Sequence, residues 1–276
     1  MAKWTFAACG AVALAAGAVQ AAEADLDTLP PGSRLPSAET CATRVLGAGQ
    51  PRLEDRPSNA DENAARYSGP DVLIDGANHL FQARVRGDFA PAGVTLTTRE
   101  ILLIGACKWG FDEQGVFGKA KVESNWFQAR GADYGYGDSH TDPAVCARID
   151  KPAPCWTSYG IMQVKGTVHE GTYPWAERST AFNVDYALGW QRACFEGGFD
   201  SWIGNAKGDL EGCVGAWFSG KLRDSVAQGY IAKWNQVMSA KPWYNNRAFL
   251  RMDGSPQSLP EIPLRSGACV RGACRS

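Results

Sequence analysis

"AKVESNWFQ", residues 120–128, places an ionisable carboxylate, Glu123, among residues that read as the inward face of a helix. Val116, Ala120, Glu123 and Phe127 fall at i, i+4, i+7 and i+11, a single stripe at helical spacing. Burying a carboxylate is costly unless the group is paired or protonated, and the ordinary response is a raised pKa. A carboxyl group that keeps its proton near neutral pH is what a general acid requires. The alternative is a helix rotated about its axis, with Glu123 at the surface or making a structural hydrogen bond.

Working outward, the preceding stretch "TLTTREILLIGACKWG" (95–110) carries Thr97 and Glu100 at capping-box spacing ahead of Ile101, Ile104 and Cys107, with Gly110 able to close the helix. Asp112 then caps a second helix that runs to about Phe127. Further helices are expected over Thr180 to Glu196, Asp209 to Phe218 and Asp224 to Met238, so the body, 95–241, is mainly α. Residues 25–94 read as a loop-rich N-terminal arm, because Pro, Ser, Asn, Asp and Glu dominate its first part without sustained periodicity. Cys41 is expected to pin this arm to the body. "VLIDGANHLFQARVRGDFAPAG" (72–93) is compatible with one or two strands or with irregular wrapping. The stretch 129–158 is rich in Gly and Pro, and residues 242–276 read as an irregular tail.

"MAKWTFAACGAVALAAGAVQAAEAD" (1–25) has Lys3, a short apolar run and small residues that offer cleavage after Ala21 or Ala24, the pattern of a signal peptide over 1–24. Gly10 and Gly17 break a run already short for a membrane span, and Cys9 lies inside the run rather than at a lipid-attachment position. The protein is therefore expected to be exported, to a periplasm or beyond. Of nine cysteines, all but Cys9 remain after the leader, an even set in an oxidising compartment. Eight cysteines allow 105 pairings, and the sequence leaves the connectivity open; Cys146–Cys155, Cys194–Cys213 and Cys269–Cys274 are the short closures, with Cys41 and Cys107 then left for each other. Neither a C-x-x-C pair nor ligand spacing among His79, His140 and His169 is present, so no metal site and no cofactor are expected. A formal charge of −1 without a basic run excludes the electrostatic footprint of a nucleic-acid binder. The expected partner is weakly charged, and the protein a monomer. Some of the many tryptophans are expected to line a sugar groove, the majority to fill the core.

Downstream of Glu123 come "SYGIMQV" (158–164), "STAFNVDYALGWQ" (179–191) and "GCVGAWFSG" (212–220). A helix ending in Glu-Ser, a G-x-M-Q segment, an Asn-bearing helix and a late alanine-aromatic stretch, in this order over about 95–240, resemble the soluble lytic transglycosylases and the related goose-type lysozymes. The resemblance implies a lysozyme-like domain and a glycan partner, peptidoglycan or a related β-1,4-linked amino-sugar polymer. It implies Glu123 as catalytic acid with Ser124 beside it, Gly160, Ile161, Met162 and Gln163 as a groove segment, Asn183 as support, and Ala216 to Gly220 as the late motif. Gly160 would then let backbone approach a sugar, Gln163 would offer amide hydrogen bonds, and Trp217 or Phe218 would keep Glu123 dry. For Met162 core packing is the stronger expectation. The family usually carries Tyr-Asn in the late motif, where this chain has Trp217 and Phe218; Tyr159 is one candidate for the hydroxyl. The segment between Glu123 and Gly160 is a long insertion, with Cys146 and Cys155 inside it.

The number of carboxylates separates two reactions. An inverting hydrolase needs a second carboxylate about 6.5–9.5 Å from the acid to activate water. In lytic transglycosylases one glutamate suffices, closing a 1,6-anhydro ring. Asp138, in "GYGDSH" (135–140), is the candidate base for hydrolysis, with a self-satisfied turn residue as its other reading. Asp133 and Asp142 are less well placed, and Lys165 stands where the goose-type pattern would offer an Asp. The expectation is therefore a single-glutamate lytic transglycosylase that cleaves MurNAc-GlcNAc bonds. The alternatives are an inverting muramidase or chitinase-like hydrolase using Asp138, and a secreted glycan-binding protein without activity.

Overall fold

The computed structural model of the protein describes residues 26–47, 54–74, 84–133, 142–246 and 249. Its helices, in chain order, are α1 (Ala38–Gly47), α2 (Ala60–Ala64), α3 (Thr98–Trp109), α4 (Glu113–Ser124), α5 (Pro143–Ala147), α6 (Trp175–Arg178), α7 (Thr180–Phe195), α8 (Asp200–Ile203), α9 (Leu210–Ser219), α10 (Ser225–Ala240) and α11 (Pro242–Asn245). Two small antiparallel sheets complete it: β1 (Val72–Leu73) with β2 (Arg84–Val85), and a three-stranded sheet in the order β3 (Gly131–Ala132), β4 (Ser158–Tyr159), β5 (Val164–Lys165). The molecule is mainly helical, and no helix among the described residues is long and apolar enough to cross a membrane.

Local chemistry sets the helix ends. Thr97 accepts from the Glu100 amide while the Glu100 carboxylate accepts from the Thr97 amide, a complete capping box on α3, and Gly110 closes that helix at φ 64°. Asp112 accepts from Gly115 N at 2.8 Å to start α4, and side chains of Ser179, Asp209 and Asp224 cap α7, α9 and α10. The second helix stops at Asn125, which takes the left-handed conformation at φ 57°, rather than continuing to Phe127.

α3, α4 and α7 form the centre, with α10 packed on α4 and α9 between α10 and α7. α7 is buried over its whole length, and α4 over most of its circumference. Inside this core Asp185 accepts from Lys108 Nζ at 2.7 Å, from Trp109 Nε1 at 2.8 Å and from the amides of Arg86 and Gly87 at 3.0 Å. This buried pair with its hydrogen bonds satisfied ties α3, α7 and the segment after β2 together.

The N-terminal arm is more ordered than its composition implies. α1 buries Cys41, Ala42 and Val45 against α3 and is bonded to it through Cys41–Cys107. Arg192 on α7 donates to the carbonyls of Leu29 and Pro30 at 2.8 Å. The fully buried Arg56 donates from Nε to the Asn125 carbonyl at 2.9 Å, and Asn59 binds the Trp126 carbonyl and the Gln128 amide at 2.8 and 2.9 Å. The arm thus fastens the turn that follows α4. Cys146–Cys155 and Cys194–Cys213 form as the spacing implied; Cys269, Cys274 and the stretch expected to be a signal peptide lie outside the described residues.

Candidate active site

Glu123 lies in the last turn of α4, partly exposed while its carboxyl is surrounded by protein on most sides. Tyr230, buried on α10, donates its hydroxyl to Glu123 Oε1, and Phe218 from the end of α9 stacks on the Tyr230 ring with centroids 4.9 Å apart. Burial pushes the Glu123 carboxyl up to about 7; the Tyr230 hydroxyl, Lys119 and Lys233 pull it down, and Asp133 adds a push upward. Among the described residues Glu123 makes no ion pair, so the carboxyl is held by a neutral donor rather than locked to a cation.

Asp133, beside β3, accepts from Ser158 Oγ and lies 3.8 Å from Lys165 Nζ. Lys165 therefore counters the charge of Asp133, while Asp138 lies outside the described residues. Arg130, just before β3, faces Glu123 as well; burial lowers its pKa and Glu123 opposes the shift.

The segment 158–164 is held by residues that the resemblance implies for the site. Ser124 Oγ donates to the Ile161 carbonyl at 2.9 Å. Asn183, fully buried on α7, donates to the carbonyls of Tyr159 and Ala176 at 2.9 and 2.7 Å and accepts from Met162 N at 2.8 Å. Gly160 has φ 82°, and a Cβ there would stand 2.2 Å from Asn183 Nδ2. Its missing side chain thus admits Asn183, not a sugar. Ile161 and Met162 are fully buried, so their side chains build the core beneath the segment. Gln163, at φ 51°, spends its amide N–H groups on the carbonyls of Arg130 and Gly160 at 3.1 and 2.7 Å, rather than offering them outward.

Trp217 donates its indole N–H to the Met162 carbonyl at 3.2 Å and stacks on His169, with centroids 5.1 Å apart. The Glu123 carboxyl is met instead by Tyr230, on which Phe218 stacks. Tyr159 does not supply the hydroxyl near the acid, because its O–H donates to the Trp156 carbonyl at 2.5 Å and its ring lies against Tyr173. Tyr230 supplies it, from a helix far along the chain.

Two exposed rings border this region. Phe218 is 59% exposed above Tyr230, and Trp156 is 43% exposed, its ring covering Gly131 so closely that a Cβ there would lie 2.6 Å from the indole Cγ. Gly131 adjoins Arg130, one of the charges facing Glu123, so Trp156 lies on the sheet side while Phe218 stands on the helix side. A cavity of about 370 Å³ lined by Arg148, Asp150, Tyr173 and Arg178 does not reach Glu123. No cluster of His, Cys, Asp and Glu among the described residues is suited to a metal ion. The chain matches no family model, no curated protein and no solved structure.

Proposed function

We propose that the protein is an exported lysozyme-like lytic transglycosylase acting on peptidoglycan, with Glu123 as its single catalytic acid and base. The observation that carries the reading is the Glu123 carboxyl itself: at the end of a partly exposed residue, bound by the Tyr230 hydroxyl, paired to no cation among the described residues, and pushed up to about 7 by burial. A carboxyl in this state holds a proton at neutral pH and can also release it.

Glu123 gives its proton to the oxygen that links MurNAc C1 to GlcNAc C4, and the C1–O bond breaks. The resulting carboxylate then takes the proton of the MurNAc C6 hydroxyl as O6 bonds to C1. Glu123 ends protonated, no water is consumed, and the product carries a 1,6-anhydro ring. Tyr230 serves both halves of the cycle, since its donor stabilises the carboxylate that exists between them. Phe218 and Trp156 supply apolar faces against which sugar rings can lie. Asp133, the other carboxylate in the field of Glu123, is bound by Ser158 and countered by Lys165, which argues against its use as a water-activating base. Hydrolysis with Asp138 as base is the competing chemistry. Three disulfides among the described residues accord with an oxidising compartment.

Digestion of purified cell-wall glycan, followed by mass measurement of the fragments, is the test. Ends lighter by one water are the expected result, hydrated ends assign hydrolysis, and intact glycan removes the enzymatic reading. Glu123→Gln is expected to abolish cleavage; full turnover in that variant would withdraw the assignment.

A further inference from the structure

A lysine fully buried in the core has no part in the chemistry above. Lys119 lies one turn before Glu123 on α4 and is 1% exposed. Its ammonium donates to Gln191 Oε1 on α7 at 2.8 Å and sits 4.2 Å from the centre of the Trp217 ring on α9. No carboxylate among the described residues forms an ion pair with it. An apolar side chain of similar length would fill the same space without the desolvation cost of a charge. A merely structural lysine has little to recommend it here.

We propose that Lys119 is a positioning residue for the acid: a water-excluded ammonium that, in its protonated form, stabilises the Glu123 carboxylate formed when the proton is given to the glycan. The inference rests on Glu123 being the proton donor. Its geometry is rigid, because the amide of Gln191 and the face of Trp217 hold the ammonium from two helices, and the Trp217 indole is itself bonded to the Met162 carbonyl. The other groups facing Glu123 are Tyr230 and Lys233 from α10, and Arg130 and Asp133 at β3. Lys233 is exposed, so water and salt screen its field, and Asp133 acts with opposite sign. Arg130 is partly exposed. Lys119 is the fully buried cation of the set, where the local dielectric is low and its field is least screened. Facing Lys119 itself are Glu123 from its own helix, Gln191 from α7, Trp217 from α9, and His169, which burial pushes down to about 4 and thus leaves neutral near pH 7. Burial brings Lys119 down to about 7, with Glu123 opposing, so the two groups titrate as a coupled pair.

The test is the titration of Glu123, followed by the carboxyl signals of carbon-13-labelled glutamate, in the wild type, in Lys119→Met and in Lys119→Met/Gln191→Leu. The double variant removes both hydrogen-bond partners together and so leaves no orphaned acceptor. Losing the cation is expected to move the Glu123 midpoint upward by about one unit, a tenfold change in proton affinity. On cell-wall glycan the alkaline limit of cleavage should move the same way, and turnover should fall about tenfold. A Glu123 midpoint unchanged in both folded variants would overturn the proposal, as would a shifted midpoint with unchanged turnover. If the wild type leaves glycan intact, the enzymatic reading fails, and the titration alone still decides whether Lys119 governs the Glu123 proton.

Discussion

The Tyr230 hydroxyl reaches Glu123 from a helix whose sequence gives no sign of the meeting. Its ring is clamped by Phe218 and its own ionisation is pushed well up by burial and by Glu123, so it acts as a donor throughout the working pH range. Tyr230→Phe keeps the ring and the stacking while deleting one hydrogen bond to a group that becomes charged during turnover. Such bonds contribute about 1.5–3 kcal/mol, so turnover should fall about 10- to 100-fold while the fold is retained. The bond also lowers the Glu123 pKa, hence its removal should carry the alkaline limit of activity to higher pH. Turnover measured across pH, beside a circular dichroism melt, checks both; undiminished turnover would mean that the hydroxyl has no share in the chemistry.

At the scale of elements, residues 142–157 form a small disulfide-closed unit beside the three-stranded sheet. Cys146 and Cys155 enclose a short loop, and Cys155 immediately precedes Trp156, the exposed ring over Gly131. Replacing both cysteines by serine should cost about 2–3 kcal/mol through the freed loop. Trp156 should lose its fixed place, and binding to insoluble cell wall should weaken several-fold, as read by co-sedimentation; a lower melting point with unchanged binding would show that this unit only braces the fold. The helices themselves were readable because their caps are local: Thr97 with Glu100, Asp112, Ser179, Asp209 and Asp224 each act within three residues. The inward stripe through Val116, Ala120 and Glu123 was readable from spacing. What spacing hid was that α4 is buried on most sides, so that Lys119, off that stripe, belongs to the interior as well. α1 stayed hidden for a different reason. Ala38, Cys41, Ala42 and Val45 do fall on one face and pack on α3, to which Cys107 bonds the helix, but that stripe is short and sits in a Pro-, Ser- and Glu-rich stretch that reads as loop. Likewise Gly160 reads as a contact point for a ligand, whereas its constraint comes from Asn183, and Tyr159 reads as the missing hydroxyl because nothing near Tyr230 marks its partner.

For the whole molecule, two neighbouring groups whose protonation burial shifts should leave a mark on stability as well as on turnover. The Glu123 carboxyl rises from an ordinary 4.5 to about 7 on folding. Between those values the folded protein holds a proton that the unfolded chain has released, so stability is greatest below 4.5 and falls as pH climbs toward 7. The change is on the order of 3 kcal/mol before solvent screening of the partly exposed group reduces it. Lys119 moves the other way, from 10.5 to about 7. From 7 to 10.5 the unfolded chain keeps a proton that the folded protein has lost, so this contribution rises with pH and the full cost of the buried charge is felt below 7. The two contributions together are least favourable near neutral pH, where the proposed chemistry needs both groups poised. Glu123→Gln should therefore flatten the fall between 4.5 and 7, and Lys119→Met the rise above 7, with the first variant more stable than the wild type at pH 7. Urea unfolding of the three proteins across pH 4 to 10 measures this directly. Because the groups share one field, their effects should not add in Glu123→Gln/Lys119→Met; parallel stability curves for the wild type and the two single variants would mean that neither group is held as the fold implies.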